Sequence, residues 1–372
     1  MTSKEALTRS PTTQAADVRE IGSDFELVED CYLSSPRMKT LPWEDGSDVT
    51  YVESGRQALS IVETELRKNG HMHLYVPSVF CDSMIGPFVD NGWVITVLPT
   101  DNNLSVRPGD LIERVEDGAL LHAPYFGRQD SPVMLEALDE IRQRGVAVVV
   151  DETHRVFSGP SKVADFRVAS LRKLLPLHDG GYVAGISCAP DVSSQASSTG
   201  VPTLRQAAMR AKSDALASGD ASKPHLQLFS RVEHATEIAT RPVRMSEEST
   251  SLLWRLDTEK ISRRRELNAT SLTQALGESD QYRVINPPTS DLLPSHLVLE
   301  TGDVVGLRRA LTKERIYCPI HWRISRLLSG PLDWPTRYLS IPIDQRYSEK
   351  DMTRISEFIR NYFSTKVSGR TV

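Results

Sequence analysis

The apolar run in residues 146–152, VAVVVDE, constrains the fold of this chain more than any other segment. Its first five residues are valine or alanine, and valine is a β-branched residue that favours strands. A strand without alternating polar residues is typical of a sheet that is covered on both faces, as parallel sheets are. The run therefore predicts a buried central strand of an α/β fold, with Asp151 at its carboxyl end.

Strand-like and helix-like segments alternate around this run. In residues 54–69, Leu59, Val62 and Leu66 recur at helical spacing. The alternation predicts crossover connections and a mainly parallel sheet, whose sites gather at the carboxyl ends of the strands. The other predicted strands are residues 73–80, 93–99, 119–127, 165–171 and 180–186, and the other predicted helices are 81–92 and 131–145.

The second half of the chain has a different character. The Ser-rich segment 189–200 predicts a mobile loop, and polar helical sequence follows to about residue 270. Beyond it, strands are predicted at 296–302, 315–322 and 337–344, and helices at 302–314 and 348–363. We therefore expect a disordered arm (1–20), a large domain (21–250) and a smaller α+β C-terminal domain (251–372).

Composition excludes several classes of protein. The net charge of −5 gives no general attraction for nucleic acid or anionic lipid. No run reaches the roughly 18 apolar residues of a membrane span, and the first 17 residues lack the apolar core of a signal peptide. The four cysteines show no metal-binding or disulfide spacing. We expect a cytoplasmic protein with reduced thiols that binds neither nucleic acid nor membranes.

Common nucleotide and hydrolase motifs are absent from the sequence. It contains no GxGxxG, no GxxxxGK[ST] and no GxSxG pattern. His71 and His73 alternate along the chain and could share one face of a strand, but no third ligand is nearby. We therefore predict no metal site.

Lys173 lies in a mostly apolar segment, residues 169–181, that ends in two glycines. A lysine that is buried there would be costly to keep charged, and a desolvated amine can form a Schiff base with a carbonyl. Pyridoxal 5′-phosphate is the common biological carbonyl of this kind, and a carboxylate beside its ring nitrogen makes the ring an electron sink. Taken singly, Lys173 also fits a surface loop and Asp151 a plain strand end, but together they favour this cofactor.

Two further elements suit the same cofactor. His154 follows Asp151 by three residues and could cover the ring face or bond to its 3-oxygen. The phosphate needs N–H groups at a helix start, which Ser54, Gly55 and Arg56 could supply.

These motifs resemble those of the DegT/DnrJ/EryC1/StrS family, which are pyridoxal-phosphate enzymes of fold type I and mostly sugar aminotransferases. The resemblance covers roughly residues 45–365. The lysine spacing, with Asp-x-x-His upstream, is its most specific part. The matching segments are 54–59 (SGRQAL), 76–80 (VPSVF), 124–127 (PYFG), 151–154 (DETH), and Lys173 with Gly180 and Gly181 seven and eight residues later.

The resemblance implies a role for each matching residue. Lys173 would hold the cofactor as an imine and move the proton between Cα and C4′. Asp151 would pair with the ring nitrogen, and His154 would stack on the ring. The phosphate would bind at Gly55 and Arg56 beside Ser54, and Ser170 or Arg172 could also reach it. Either Phe80 or Cys81 takes the place of a ring-stacking aromatic, and the substrate contacts would be Tyr125, His321, Trp322 and Arg323.

The sequence departs from the family pattern in three places. Arg56 stands where the family has threonine, Val168 stands where it has serine, and His178-Asp179 replaces Gly-Glu before the glycine pair. These changes leave cofactor binding in place but weaken the expectation of an ordinary nucleotide-linked keto-sugar substrate. Lys173 itself argues against the dehydratase branch of the family, which has histidine there.

The sequence therefore predicts an aminotransferase that uses pyridoxal phosphate. An amino acid, by family habit glutamate or glutamine, would donate the amino group to a keto or aldehyde group of a sugar or secondary metabolite. We expect a homodimer with its sites at the interface, to which segment 190–250 would contribute. Two alternatives stay open: another reaction at Cα, such as decarboxylation, elimination or carbon–carbon bond formation, and a non-catalytic relative that binds the cofactor.

Overall fold

The computed structural model describes residues 19–368 except 35–37, 39, 47, 187–191, 193–199, 221, 290–291, 323 and 329–335. Of the predicted arm, only Arg19 and Glu20 belong to the described residues. Most of the predicted Ser-rich loop, residues 189–200, also lies outside them.

Strands and helices alternate along the first half of the described chain. The strands are β1 Ile21–Gly22, β2 Val49–Val52, β3 His73–Pro77, β4 Val94–Leu98, β5 Ala119–His122, β6 Ala147–Asp151, β7 Phe166–Ala169, β8 Gly181–Ala184, β9 Tyr282–Val284, β10 Leu297–Thr301, β11 Ile316–Tyr317 and β12 Tyr338–Ile341. The helices are α1 Gly55–Lys68, α2 Asp82–Asp90, α3 Pro108–Arg114, α4 Pro132–Gln143, α5 Val201–Ser218, α6 His225–Ile238, α7 Glu247–Leu253, α8 Thr258–Leu276, α9 Val304–Lys313 and α10 Glu349–Ser368.

The central sheet has seven strands in the order β2-β8-β7-β6-β5-β3-β4. The strands from β7 to β4 are parallel, and β8 is antiparallel to both of its neighbours. Parallel strands place their carboxyl ends at one edge of a sheet, so Asp151 at the end of β6 and the turn after β7 lie at the same edge. The predicted mixed α/β architecture with a mainly parallel sheet is confirmed. The sequence did not reveal β2, α3 or β9.

Strand β6 is buried on both faces, as its composition predicts. Val149 packs with Leu59 of α1 and Ile85 of α2 in one core cluster. Its neighbours Val148 and Val150 pack with α4 in another. All three valines are 0% exposed, and each buried valine contributes about 1.5–3 kcal/mol to stability.

The C-terminal part is built on a three-stranded antiparallel sheet in the order β12-β10-β9. Helices α8, α9 and α10 share a core cluster with it. Strand β1 pairs in parallel with β11, with Ile21 opposite Ile316, so the chain reaches the C-terminal part before it enters the central sheet. The domain boundary near residue 250 stays a prediction.

Several predicted strands are shorter than expected, and this shapes the site. β5 ends at His122, and a 3₁₀ turn, Tyr125–Gly127, follows Pro124. β7 ends at Ala169, and a second 3₁₀ turn, Leu171–Lys173, carries the lysine. The predicted strand 315–322 is reduced to β11, because Pro319 cannot donate to a strand ladder. Among the described helices, none is both long and apolar enough to cross a membrane.

Candidate active site

A cavity of about 270 Å³ opens at the carboxyl ends of β6 and β7, and we call it the edge cavity. It collects side chains from α1, from both 3₁₀ turns and from the segment after β11. Most of the residues predicted from the sequence line it, namely Ser54, Gly55, Arg56, Tyr125, Asp151, His154, Ser170, Lys173 and Trp322.

Thr153 connects the ends of β6 and β7 at the floor of the edge cavity. Its N–H donates to Asp151 Oδ1 at 2.9 Å, and its Oγ1 accepts from the N–H of Ser170 at 2.9 Å. Burial raises the pKa of the Asp151 carboxyl above its usual value, although hydrogen bonds from Thr153 oppose the effect. A buried carboxylate of this kind gains from a cationic partner in the cavity.

Lys173 ends the 3₁₀ turn after β7, and its side chain is exposed. Leu171 and Leu174, on either side of it, occupy the core instead. The sequence left two interpretations of Lys173 open, a desolvated lysine and a lysine in a surface loop. Its exposure fits the second, because the turn directs the apolar neighbours inward. Its amine remains accessible from the edge cavity.

The start of α1 forms a polar cradle in the edge cavity. Ser54 caps the helix by accepting from the N–H of Gln57 at 3.3 Å. The first N–H groups of a helix have no partner within it, so those of Gly55 and Arg56 are available to an anion.

Two glycines allow the start of α1 to approach the ends of the strands. A Cβ atom on Gly55 would lie 2.9 Å from Ser170 Cβ, and one on Gly181 would lie 2.7 Å from the backbone nitrogen of Gly55. This close contact explains why the second residue of the glycine pair must lack a side chain.

We expect Gly181→Ala to destabilise the protein by about 1–3 kcal/mol, because the added methyl group would meet backbone atoms that cannot turn away. The same change should weaken anion binding at the start of α1. Denaturant unfolding measures the first effect. Gly302→Ala is the matched control, since a Cβ there meets nothing within 4 Å. Equal stability of the two variants would contradict the close approach.

The Arg56 side chain extends towards α2. A Cβ atom on Gly86 would lie 2.8 Å from Arg56 Nη1, so the guanidinium passes where a larger residue would stand. Arg56 thus brings charge to the wall of the edge cavity between α1 and α2.

His154 is buried and presents a flat neutral ring. Its Nδ1 accepts from the N–H of Phe126 at 3.1 Å, which places the proton on Nε2. Burial lowers the pKa of His154 well below its usual value. The Trp322 ring lies 5.6 Å from the His154 ring, with 11° between their planes.

Tyr125 and Trp322 form an aromatic wall, with ring centroids 4.6 Å apart. The Tyr125 hydroxyl donates to the Val79 carbonyl, and burial raises its pKa well above the usual value. Tyr125 therefore presents an apolar face rather than an acid.

Cys81, and not Phe80, lies in the wall of the edge cavity. Phe80 is 0% exposed and belongs to the core between α1 and α2. The two successive residues face opposite ways where the chain turns into α2, so the apolar ring takes the core position. The choice of Phe80 as a cofactor contact is corrected accordingly.

His321 lies beside the site in a cluster of three histidines, of which His154 is buried and His296 and His321 are half-buried. Its ring is 4.9 Å from that of His296 and 5.7 Å from that of His154, and its Nδ1 lies 2.7 Å from Ser340 Oγ. Burial lowers the pKa of His296 to about 4. His321 does not line the edge cavity but a neighbouring one, and Arg323 lies outside the described residues.

His73, one of the two histidines that were considered for a metal, has other side-chain partners. His73 approaches Asp117 with Nδ1 at 3.1 Å and the Thr96 hydroxyl with Nε2 at 2.8 Å. Within the described residues, no three His, Cys, Asp or Glu side chains are grouped so that they could hold a metal.

Sequence reasoning missed three residues near the site. Thr153 lies inside the Asp-x-x-His motif and could have been noticed as a hydroxyl between two candidate residues. Glu233 of α6 and His296 come from distant segments, and no local pattern marks them.

Comparisons with known proteins identify the fold. No protein-family model matches the chain, and no curated protein matches it in sequence. Solved structures do match. The sugar aminotransferase CalS13 from Micromonospora echinospora is 16% identical, with 91% of this chain and 98% of that one covered and a TM-score of 0.62.

Two further structures agree. A DegT DnrJ EryC1 StrS aminotransferase from Brucella abortus is 18% identical, over 85% of this chain and 86% of that one, with a TM-score of 0.57. The PLP form of Spr1654, a proposed sugar aminotransferase from Streptococcus pneumoniae, is 12% identical, over 83% of this chain and 85% of that one, with a TM-score of 0.59. The chain therefore has the fold of these aminotransferases, and the prediction of fold type I is confirmed.

Proposed function

We propose that this chain is a pyridoxal-phosphate-dependent aminotransferase. The observation that carries the proposal is that one cavity collects Lys173, Asp151, His154 and the start of α1. An amine, a carboxylate, a flat ring and an anion cradle are what this cofactor requires. The shared fold with known aminotransferases supports the same conclusion.

The residues of the edge cavity fit the cofactor. A Cβ atom on Gly55 would meet Ser170, and one on Gly181 would meet the backbone of Ser54 and Gly55. These glycines therefore let the N–H groups at the start of α1 lie at the carboxyl ends of the strands, where the phosphate would bind. The desolvated Asp151 carboxyl suits a protonated ring nitrogen. When bound, the cofactor supplies an aldehyde that links to amines and a ring that withdraws electrons from Cα.

Each side chain then has a defined task. Lys173 would hold the cofactor and, with its amine free, move the proton at the substrate Cα. Asp151 would keep the ring nitrogen protonated, and neutral His154 would cover the ring. Ser54 and Gly55, with Ser170 beside them, would bind the phosphate.

The substrates would be a small amino donor and a keto or aldehyde acceptor. Glutamate or glutamine is the proposed donor, and a sugar or related metabolite the proposed acceptor. A homodimer, a cytoplasmic location and the division into domains at residue 250 belong to the same proposal. The aromatic wall of Tyr125 and Trp322 would bound the acceptor.

The proposal is tested on purified protein that has been mixed with the cofactor. We expect an absorbance band at the visible edge, which borohydride removes by fixing the cofactor to one lysine. Peptide mapping should locate that lysine at 173. Glutamate and glutamine should each be tested for release of a keto acid. Attachment elsewhere, or no keto acid from any amino donor in a broad panel, would contradict transamination at Lys173.

A further inference from the structure

A second cavity, of about 410 Å³, adjoins the edge cavity. We call it the basic cavity. His154, Arg172, Lys173 and Glu233 line both cavities, so the two meet at the lysine. A molecule in the basic cavity would thus lie beside the amine, on a side of it that the cofactor phosphate cradle does not occupy.

Positive charge dominates the wall of the basic cavity. Six cationic side chains line it against three carboxylates. An excess of one sign in a concave, partly desolvated site concentrates ions of the opposite sign. The six cations are Arg172, Lys173, Arg205, Arg265, Arg308 and Arg346.

Two of these arginines, Arg265 and Arg346, make hydrogen bonds and ion pairs within the protein. Arg265 donates to the carbonyls of Ser295 and Leu174 at 3.1 and 3.0 Å, and to the Gln345 side chain at 3.1 Å. Arg346 pairs with Asp344 at 2.8 Å and with Glu26 at 2.9 Å. Each nitrogen of both guanidinium groups already donates a hydrogen bond, so neither supplies the main contact for a ligand.

Arg205 of α5 is buried, but its hydrogen-bond donors are not all satisfied. Its side chain is 2% exposed, and it reaches Asp24 at 3.4 Å and Glu233 at 3.6 Å. Nε and Nη1 nevertheless have no hydrogen-bond partner in the described part of the chain. Burial lowers the pKa of Arg205 to about 10. A guanidinium that is desolvated without complete pairing costs stability unless a ligand completes it.

Arg172 repeats the pattern next to the lysine. Its Nη1 donates to Glu233 at 3.0 Å, while its Nε is buried and has no hydrogen-bond partner among the described residues. Glu233 therefore pairs with the terminal nitrogens of both Arg172 and Arg205, and the Nε of each has no hydrogen-bond partner among the described residues. The planar donors of arginine match the oxygens of a carboxylate or a phosphate.

We propose that the basic cavity binds an anionic group of the substrate, a carboxylate or a phosphate, through Arg205 and Arg172. This inference rests on the proposed function, since it places that group beside the reacting amine of Lys173. The group belongs either to the amino donor or to the acceptor. Arg308 is exposed at the cavity wall, and its Nε donates to the Cys318 carbonyl at 3.0 Å. Its exposed charge draws anions inward.

The test is calorimetric titration of the cofactor-loaded protein, whose phosphate cradle is already filled. Glutarate represents the donor, inorganic phosphate represents the acceptor, and uncharged glutaramide is the control ligand. We expect saturable binding of at least one anion and none of glutaramide. Binding of glutarate alone assigns the site to the donor, and binding of phosphate alone assigns it to the acceptor.

Arg205→Gln should weaken this binding by about tenfold or more, as loss of charge-assisted hydrogen bonds does. Arg210→Gln is the matched control, because Arg210 is exposed on the same helix. If Arg205→Gln does not fold, the test uses Arg308→Gln, which changes an exposed residue. We expect it to lower the affinity for the anion about threefold.

The inference is overturned if the loaded wild type binds neither anion, or if the folded variants bind them as tightly as the wild type. A cofactor band without anion binding would refute this inference alone. Absence of the band would refute the proposed function first, and this inference with it.

Discussion

Lys173→Ala is expected to lower the rate of amino transfer by about ten-thousand-fold, which is the upper range for removal of a proton-transferring group. Under the proposed function, the variant loses both the amine that would hold the cofactor and the base that would act at Cα. Because the Lys173 side chain is exposed and its apolar neighbours form the core, the free energy of unfolding should change by less than about 0.5 kcal/mol. Single-turnover absorbance with the amino donor measures the rate, and denaturant unfolding measures the stability.

Lys162→Ala is the matched control, since Lys162 is exposed and does not line the edge cavity. It should keep the full rate and the borohydride-sensitive band. The Lys173 variant should lose the band but retain some cofactor through the start of α1. A Lys173→Ala protein that still turns over would refute the assignment of this lysine.

Asp151→Asn has the second largest expected effect, a loss of about a hundred- to thousand-fold in kcat/KM, as for other preorganised electrostatic groups. The asparagine keeps an oxygen for the Thr153 N–H but cannot stabilise a protonated ring nitrogen. Steady-state kinetics at saturating cofactor separate this loss from weaker cofactor binding.

The free energy of unfolding provides a second, independent test of Asp151→Asn. Because burial raises the folded-state pKa of Asp151 above 3.8, the folded protein binds this proton more tightly than the unfolded chain. The carboxyl therefore lowers stability as pH rises above 3.8, and the cost persists at neutral pH. Asp151→Asn should thus stabilise the cofactor-free protein at neutral pH, whereas the cofactor should stabilise the wild type more than the variant. A fall in stability of the cofactor-free variant would contradict the desolvation of Asp151.

The sequence was sufficient for the features that depend on local pattern. The valine run predicted β6 and its two covered faces. The alternation of strands and helices predicted that the sheet is mainly parallel. Together they place Asp151 and Lys173 at one edge, because parallel strands end there. The glycine pair was noticed, and the close contact of Gly181 with the start of α1 gives its physical reason.

Features that depend on contacts between distant segments could not be predicted. The ion pair of Arg172 and Glu233 joins residues 61 positions apart, and the buried Arg205 gives no signal within its amphipathic helix. The exposure of Lys173 depends on the 3₁₀ turn that ends β7 early. The same limit applies to Phe80 and Cys81, since a shift of one position along the chain exchanges the side chain that faces the core for the one that faces the cavity.

The hydrogen bond from Arg265 to the Leu174 carbonyl has a mechanical consequence. Helix α8 packs with the C-terminal sheet. Its Arg265 nevertheless donates a hydrogen bond of 3.0 Å to the carbonyl of Leu174, the residue after Lys173. If the C-terminal part rotates relative to the central sheet, either Lys173 moves with it or the hydrogen bond from Arg265 to Leu174 breaks. The turn that carries Lys173 is thus fixed by contacts from both parts of the chain.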